Sequence, residues 1–246
     1  MRKEIGGIRP RELTPRERLW VDNFRAGETP GSLELAVKFI NSLHSGDQVL
    51  EVGCGYGRMS ISLRKKRNVS VTGVDINTHE ISSAQKNSAY SEVGFEAMDG
   101  TQLEYLGDQF DSVVMVGVLG GVEREIREKL LSQAFRVVKP GGSLAVAEFK
   151  MNTSDPEKVE KYKADAKITG EWGSKIIRRR IKGIDKILFV ARHFTREELI
   201  SMFEDAGFSS IQSREHNTIK AAGIGDGIEE VRRQYTVWGV KPIIGY

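Results

Sequence analysis

Short apolar runs alternate with segments of helical apolar spacing through most of this chain. The run that begins at Val49 predicts a first strand, which leads directly into an acidic residue and a group of glycines. Further strands are predicted at 70–74, 95–98, 111–116 and 143–149, with helices at about 57–66, 78–87 and 124–136. Strands that alternate with helices are typical of βαβ units, which build a parallel sheet covered by helices. The pattern therefore predicts an α/β fold.

An N-terminal arm, residues 1–28, precedes this alternation. Residues 14–17 form a capping box with proline at the first helical position, which predicts a short helix up to about Phe24. A second helix is predicted to start at 29–30, because apolar residues recur near the helical period from there to Leu43.

Residues 150–193 interrupt the alternation and form an insert. A charged helix is predicted at about 156–168, and the runs after it predict a two-stranded ribbon that turns at Gly183. A capping box at 195–198 then starts a helix that ends at Gly207. The last two strands are predicted at 209–214 and 234–241, with one short helix between them.

The composition is that of a globular protein, with 39% hydrophobic and 29% charged residues. The 246 residues suit a single domain, which we assign to 1–246 with its arm and insert. No apolar run approaches the roughly 20 residues that span a bilayer, and the N-terminus lacks the apolar core of a signal peptide. The single cysteine, Cys54, excludes an internal disulfide and a multi-cysteine zinc site, so we expect no metal and a reducing, cytoplasmic setting.

The net charge of +3 conceals a segregation of charge along the chain. Residues 1–25 carry seven basic and four acidic side chains, and the insert carries twelve basic and six acidic ones. The remaining residues are therefore acidic overall. A run of three arginines, Arg178–Arg180, lies in the predicted ribbon, and this basic insert suits an anionic substrate or RNA.

Three acidic residues lie at or near the carboxyl ends of the first three predicted strands: Glu51, Asp75 and Asp99. In a parallel sheet these ends share one rim, where α/β folds bind ligands. Glycines alternate along residues 53–57, as expected where the backbone takes a positive φ or lets a ligand approach closely. A carboxylate that accepts two hydroxyl hydrogens suits a ribose.

Two kinds of cofactor compete for this turn. Dinucleotide folds prefer Gly-x-Gly-x-x-Gly, with the pyrophosphate on the helix N-terminus. This chain has Gly-x-Gly-x-Gly after an acid at Glu51, which would repel pyrophosphate but can hold an ammonium group. A ligand with an adenosine, a cation and an amino acid end fits better.

The same segments resemble class I S-adenosylmethionine-dependent methyltransferases. The resemblance rests on six stretches in the family's order, which lie at 49–57, 74–75, 98–100, 110–114, 138–142 and 193–208. It implies a Rossmann-like, seven-stranded, mostly parallel sheet with helices on both faces, in which the last two strands form a hairpin. The arm and the insert would then form a lid over the acceptor pocket.

The resemblance also implies how S-adenosyl-L-methionine would be bound. Glu51 and the glycine turn would hold the methionine portion, Asp75 the ribose hydroxyls and Asp99 the adenine amine. The backbone near Val116 would meet the sulfonium end. The implied cofactor-binding residues are Glu51, Gly53, Cys54, Gly55, Gly57, Asp75, Ile76, Asp99, Gly100, Val116 and Gly117.

The acceptor is constrained mainly by what the loop at 117–122 lacks. It has neither the Asn/Asp-Pro-Pro-aromatic signature of amino methyltransferases nor the carboxylates of a catechol-type magnesium site. It resembles the small-molecule and quinone-type methyltransferases, which favours in-line methyl transfer to a small-molecule acceptor. Two alternatives stay open: an RNA methyltransferase that uses the basic insert, and a non-catalytic protein that binds the cofactor.

A general base is not required for methyl transfer, because the sulfonium supplies the driving force, but one would assist it. Three residues in or beside the insert are candidates for catalysis: His193, Tyr162 and Glu171. His193 lies where the insert returns to the core, and the other two are placed where they would face a substrate.

Overall fold

The computed structural model describes residues 11–23, 35–87, 92–181, 184–217 and 233–243. Its main sheet has seven strands, which are β1 (Gln48–Val52), β2 (Ser70–Asp75), β3 (Gly94–Ala97), β4 (Phe110–Val116), β5 (Val138–Phe149), β8 (Ser209–Asn217) and β9 (Arg233–Val240). Their order is β3-β2-β1-β4-β5-β9-β8, and β9 is antiparallel to both of its neighbours. The predicted mostly parallel sheet with a C-terminal hairpin is therefore confirmed.

The described helices are α1 (Pro15–Asn23), α2 (Val37–Ser42), α3 (Arg58–Arg67), α4 (Thr78–Lys86), α5 (Arg124–Val137), α6 (Pro156–Thr169) and α7 (Arg196–Asp205). Adjacent residues of β1 belong to different apolar clusters: Leu50 is in the cluster that includes Leu130 of α5, and Val49 is in the one that includes Leu63 of α3. Alternate side chains of a strand point to opposite faces, so an apolar strand of this kind needs cover on both sides. This double burial explains why the core strands have continuous apolar sequences.

The register of the parallel strands brings their carboxyl ends to a common rim. Val52 pairs with Val74 of β2 and with Met115 of β4, and Asp75 pairs with Ala97 of β3. The chain moves outward in one direction from β1 to β3 and in the other direction from β4 onward. Ligands of open α/β sheets bind at such a switch point, which here lies between β1 and β4.

The insert contains the ribbon that the sequence predicts. Its strands β6 (Ser174–Ile181) and β7 (Ile184–Arg192) are antiparallel and form a separate two-stranded sheet. The predicted turn residue Gly183 lies outside the described residues. Helix α6 precedes the ribbon with Asp155 as its N-cap, close to the predicted start.

Several element boundaries differ from the prediction. Helix α2 begins only at Val37, because the backbone of Ala36, with φ −59° and ψ 137°, is not helical. The predicted start at 29–30 lies outside the described residues. Helix α4 has Asn77 as its N-cap, since the Asn77 side-chain oxygen accepts hydrogen bonds from the backbone N–H groups of the first turn.

The C-terminal strands are longer than predicted, and each extends into the segment between them. That segment was expected to carry a short helix, but residues 218–232 lie outside the described part of the chain. Both predicted capping boxes are present, at Thr14 with Glu17 and at Thr195 with Glu198. None of the helices in the described ranges is long and apolar enough to cross a membrane.

Candidate active site

A cavity of about 530 Å³ opens at the carboxyl ends of β1, β2 and β4. This volume lies in the range of sites that enclose a small ligand or cofactor. Its wall includes all the cofactor-binding residues expected from the sequence except Gly57: Glu51, Gly53, Cys54, Gly55, Asp75, Ile76, Asp99, Gly100, Val116 and Gly117. The sequence thus located the cavity, although their contacts with a cofactor remain predictions.

The glycine turn at 53–57 follows β1 and shapes one wall of the cavity. Gly53, Gly55 and Gly57 have φ angles of 73°, 53° and 80°, which side chains rarely allow. A Cβ on Gly57 would lie 2.4 Å from the Phe95 ring, so this glycine is required by packing behind the turn. Gly57 therefore shapes the turn without lining the cavity.

Glu51 is a buried carboxylate at the base of the cavity, with 2% of its surface exposed. The Ser60 hydroxyl of α3 donates a hydrogen bond to it. Burial raises the pKa of Glu51 to about 8, although the Ser60 hydrogen bond and the nearby Arg58 charge act to lower it. A cationic ligand group beside Glu51 would favour its ionised form.

Asp75 ends β2 and holds the glycine turn in place. Its two oxygens accept hydrogen bonds from the backbone N–H groups of Gly55 and Asn77, each at 2.8 Å. Burial raises its pKa, and the backbone hydrogen bonds act in the opposite direction. Asp75 therefore stabilises the turn in addition to the ribose contact expected for it.

Asp99 has one satisfied oxygen and one oxygen without a hydrogen bond. Its Oδ1 accepts hydrogen bonds from the backbone and hydroxyl of Thr101, at 2.9 and 2.8 Å. Its buried Oδ2 lies 3.1 Å from Nε of Arg11 as an ion pair, but in the described structure it accepts no hydrogen bond. Such an acceptor at a cavity wall suits a ligand N–H donor, as the adenine amine would provide.

The arm supplies three cavity residues that the sequence did not indicate: Arg11, Glu17 and Val21. The guanidinium of Arg11 donates two hydrogen bonds to the Glu17 carboxylate, one of them at 2.7 Å. Burial acts to raise the pKa of Glu17, but hydrogen bonds from Arg11 and Thr14 lower it overall. Pattern analysis had no means of finding these residues, because their role depends on where the arm packs.

Glu171 of the insert holds the arm against the core. Its carboxylate forms ion pairs with Arg16 of α1 at 2.9 Å, Arg127 of α5 at 2.5 Å and Arg192 of β7 at 3.0 Å. Arg16 also donates a hydrogen bond to the Gly120 carbonyl at 3.2 Å. Burial acts to raise the pKa of Glu171, but the arginines lower it overall.

The other two catalytic candidates form a buried pair behind the ribbon. The Tyr162 hydroxyl lies 2.7 Å from Nδ1 of His193, and the two side chains are 5% and 8% exposed. Neither residue lines the cavity, and neither does Glu171. The structure therefore brings the cofactor-binding candidates together but leaves the catalytic candidates apart from them, and a catalytic role for these three stays a prediction.

Comparisons with known proteins agree with this geometry. The family model for a methyltransferase domain matches residues 49–142. An O-methyltransferase of Pyrenophora dematioidea is 31% identical over 46% of this chain and 43% of its own length. The 27-O-demethylrifamycin SV methyltransferase of Amycolatopsis mediterranei is 29% identical over 65% of this chain and 62% of its own length. The chain thus spans less than two thirds of these curated relatives.

A solved structure extends the likeness to most of the fold. The S-adenosylmethionine-dependent methyltransferase structure from Methanosarcina mazei is 27% identical, with a TM-score of 0.71, and the match covers 86% of this chain and all of that one. The sheet order defines a Rossmann-like fold, and carboxylates line the rim at which such folds bind ligands. Residues 49–142 therefore match a methyltransferase domain, and the chain is similar over most of its length to a class I S-adenosylmethionine-dependent methyltransferase. The cofactor of this family is S-adenosyl-L-methionine.

Proposed function

We propose that this protein transfers a methyl group from S-adenosyl-L-methionine to a small-molecule acceptor. The observation that carries the proposal is the cavity at the switch point, where Glu51, Asp75 and Asp99 meet the glycine turn. These three carboxylates line the cavity, and S-adenosyl-L-methionine, the ligand that we propose for it, is a cation. The match of residues 49–142 to a methyltransferase domain supports the same reaction.

The residues present fit the cofactor at each of its parts. Glu51 lies where it would receive the ammonium group, and its burial makes it a strong partner for a cation. The unsatisfied Oδ2 of Asp99 would accept the adenine amine. A Cβ on Gly53 would lie 2.4 Å from the Val118 side chain, so only glycine fits at this position. Because residue 53 has no side chain, the backbone of the turn can approach a ligand closely.

When bound, the cofactor supplies an electrophilic methyl group on a sulfonium sulfur. The work of the protein is then to align an acceptor with that group and to exclude water. Alignment of this kind contributes on the order of 7–11 kcal/mol to rate acceleration. The arm closes part of the cavity through Arg11, Glu17 and Val21, and we propose that it acts as the inner layer of a lid.

The insert would form the outer layer of the same lid. No described insert residue lines the cavity, but Glu171 and the Val190 carbonyl both contact Arg16 of the arm. A lid of two layers favours a small acceptor, since the arm would have to leave before a polymer could reach the cavity. The curated relatives named as O-methyltransferases make oxygen the first acceptor atom to test.

One observation favours RNA as the alternative acceptor. Arg178, Arg179 and Arg180 are exposed on the ribbon, where they would meet a polyanion without entering the cavity. Arg178 also pairs with Asp165 at 3.3 Å, so the free charge of the run is smaller than its sequence suggests. The small-molecule proposal therefore takes precedence.

Incubation with methyl-labelled cofactor and a fractionated cell extract tests the proposal. Label in the low-mass fraction supports a small-molecule acceptor, and label that nuclease releases from RNA supports the alternative. Asp75→Ala is the control, because it removes a cavity carboxylate and the anchor of the turn. Cofactor binding without transfer of label in any fraction would indicate a non-catalytic binding protein.

A further inference from the structure

The cavity wall contains another carboxylate, Glu80, which the proposed function has not used. Glu80 lies in the first turn of α4, five residues after Asp75, and it is 5% exposed. Its Oε2 lies 2.8 Å from the point where a Cβ on Gly55 would stand. The carboxylate therefore lies directly over the middle of the glycine turn and leaves no room there for a side chain on residue 55.

Glu80 has no hydrogen-bond donor or cation assigned to its carboxylate within the described ranges. Its electrostatic neighbour is Asp75, a second carboxylate, and burial together with this repulsion raises the pKa of Glu80 to about 7. A buried carboxylate without partners destabilises a fold, and groups of this kind concentrate at functional sites.

The position of Glu80 relative to the other acids indicates which part of a ligand it meets. Glu80 lies against Gly55, and the backbone N–H of Gly55 donates a hydrogen bond to Asp75 at 2.8 Å. Glu80 thus belongs to the Asp75 end of the cavity, away from the group expected to hold the ammonium.

The hydrogen bonds of Asp75 show what a second carboxylate would add at this end. Both oxygens of Asp75 already accept backbone hydrogen bonds, from Gly55 and Asn77. A ribose diol brings two hydroxyl donors, and a second carboxylate beside the first provides acceptors that are not already used. Hydroxyl donors placed between the two acids would also reduce their mutual repulsion.

We infer that Glu80 is a second ribose-binding carboxylate that acts beside Asp75 and selects for an intact 2′,3′-diol. This inference rests on the proposed function, because it assumes an adenosyl cofactor in the cavity. It assigns specificity to a helix residue that lies outside the glycine turn and the acids at the strand ends.

Calorimetric titration with S-adenosylhomocysteine and its 2′-deoxy and 3′-deoxy analogues tests the inference. Glu80→Met keeps the length of the side chain and removes its oxygens, and Glu80→Gln keeps one acceptor oxygen. Glu104→Gln is the matched control, because Glu104 is exposed and does not line the cavity. A thermal melt of each variant confirms that it folds.

We expect Glu80→Met to weaken S-adenosylhomocysteine binding about 10- to 100-fold, as for loss of a hydrogen bond to a charged group. Glu80→Gln should recover part of this loss. The analogue that lacks the hydroxyl bound by Glu80 should bind the wild type more weakly than S-adenosylhomocysteine does. Its affinity should fall little further in Glu80→Met, because the hydroxyl and the carboxylate are partners in one hydrogen bond. Glu104→Gln should leave all three affinities unchanged.

Equal fold losses for the parent ligand and both deoxy analogues would overturn the inference, because they would show a general structural effect of residue 80. Unchanged affinity in Glu80→Met would overturn it as well. Wild-type protein that binds no S-adenosylhomocysteine at all would overturn both the inference and the proposed cofactor site. If the wild type binds S-adenosylhomocysteine but Glu80→Met weakens the parent ligand and the deoxy analogues equally, only the assignment of Glu80 is overturned, and the proposed cofactor site stands.

Discussion

Binding of the cofactor should release protons, and Glu51 should be their main source. Burial raises the pKa of Glu51 to about 8 in the ligand-free protein. A group with this pKa is about 90% protonated at pH 7, whereas a carboxylate that pairs with an ammonium must be ionised. Each binding event at pH 7 should therefore release about 0.9 proton from Glu51.

A second contribution comes from Glu80, with a pKa of about 7 in the free protein. If it is ionised in the complex, it releases about 0.5 proton at pH 7, so the total approaches about 1.4. The apparent affinity should rise with pH over the same range, by up to about tenfold per unit below pH 8 for the Glu51 step alone.

Calorimetry at pH 7 in two buffers measures this release directly. Phosphate and Tris differ in ionisation enthalpy, so the difference between the observed binding enthalpies gives the number of protons exchanged. Glu51→Gln should remove about 0.9 of the released proton and weaken binding, whereas Glu104→Gln should change neither. An observed enthalpy that is independent of the buffer would refute the assignment of Glu51 as a neutral acid that ionises when the ligand binds.

Three further predictions follow from buried charges. Asp75→Ala should weaken cofactor binding by about tenfold or more in calorimetry, since it removes a cavity carboxylate, its hydrogen bond from the glycine turn and its hydrogen bond from Asn77 at the start of α4. Unchanged affinity would contradict the site assignment. Burial raises the pKa of Glu148, which lies in β5, to about 8, above its unfolded value near 4.5. The protonated carboxyl therefore stabilises the fold fully below about pH 4.5, and this stabilisation is lost as the pH rises through 8. Melting temperatures should fall from pH 6 to 8.5, and Glu148→Gln should flatten that fall. Glu171→Ala leaves three arginines without their shared carboxylate, so it should lower the free energy of unfolding by about 2–4 kcal/mol. It should also make the arm more sensitive to proteases. The control Glu157→Ala should have neither effect.

The sheet and the cavity position could be predicted because both depend on short-range patterns. A strand buried on both faces has a continuous apolar sequence, and an acid at or near its end marks the rim, so Glu51 and Asp75 were found by position. Asp99 follows β3, a short and mostly exposed edge strand, and was found by its place after that strand. The φ angles of the glycine turn, all positive, show why glycine recurs there. These features are encoded within a few residues of one another.

The remaining parts of the site depend on contacts between distant segments. Arg11 meets Asp99 only because the arm folds over the rim, and no spacing in the sequence encodes that approach. Glu80 lies in a helix that was predicted nearly correctly, but its importance comes from Gly55, which belongs to another element. Likewise, Glu171 was expected to face a substrate, and its three arginine partners come from three separate elements.

These contacts change how the insert is expected to influence the reaction. The insert has no described residue in the cavity wall, so we expect any effect of the insert on an acceptor to pass through the arm. The link runs from Glu171 to Arg16, and the helix that holds Arg16 also places Glu17 and Val21 at the cavity. A change in the ribbon that shifts Glu171 would therefore alter access to the site without touching a cofactor-binding residue. Selectivity for the acceptor can thus vary through the insert while the cofactor site stays constant.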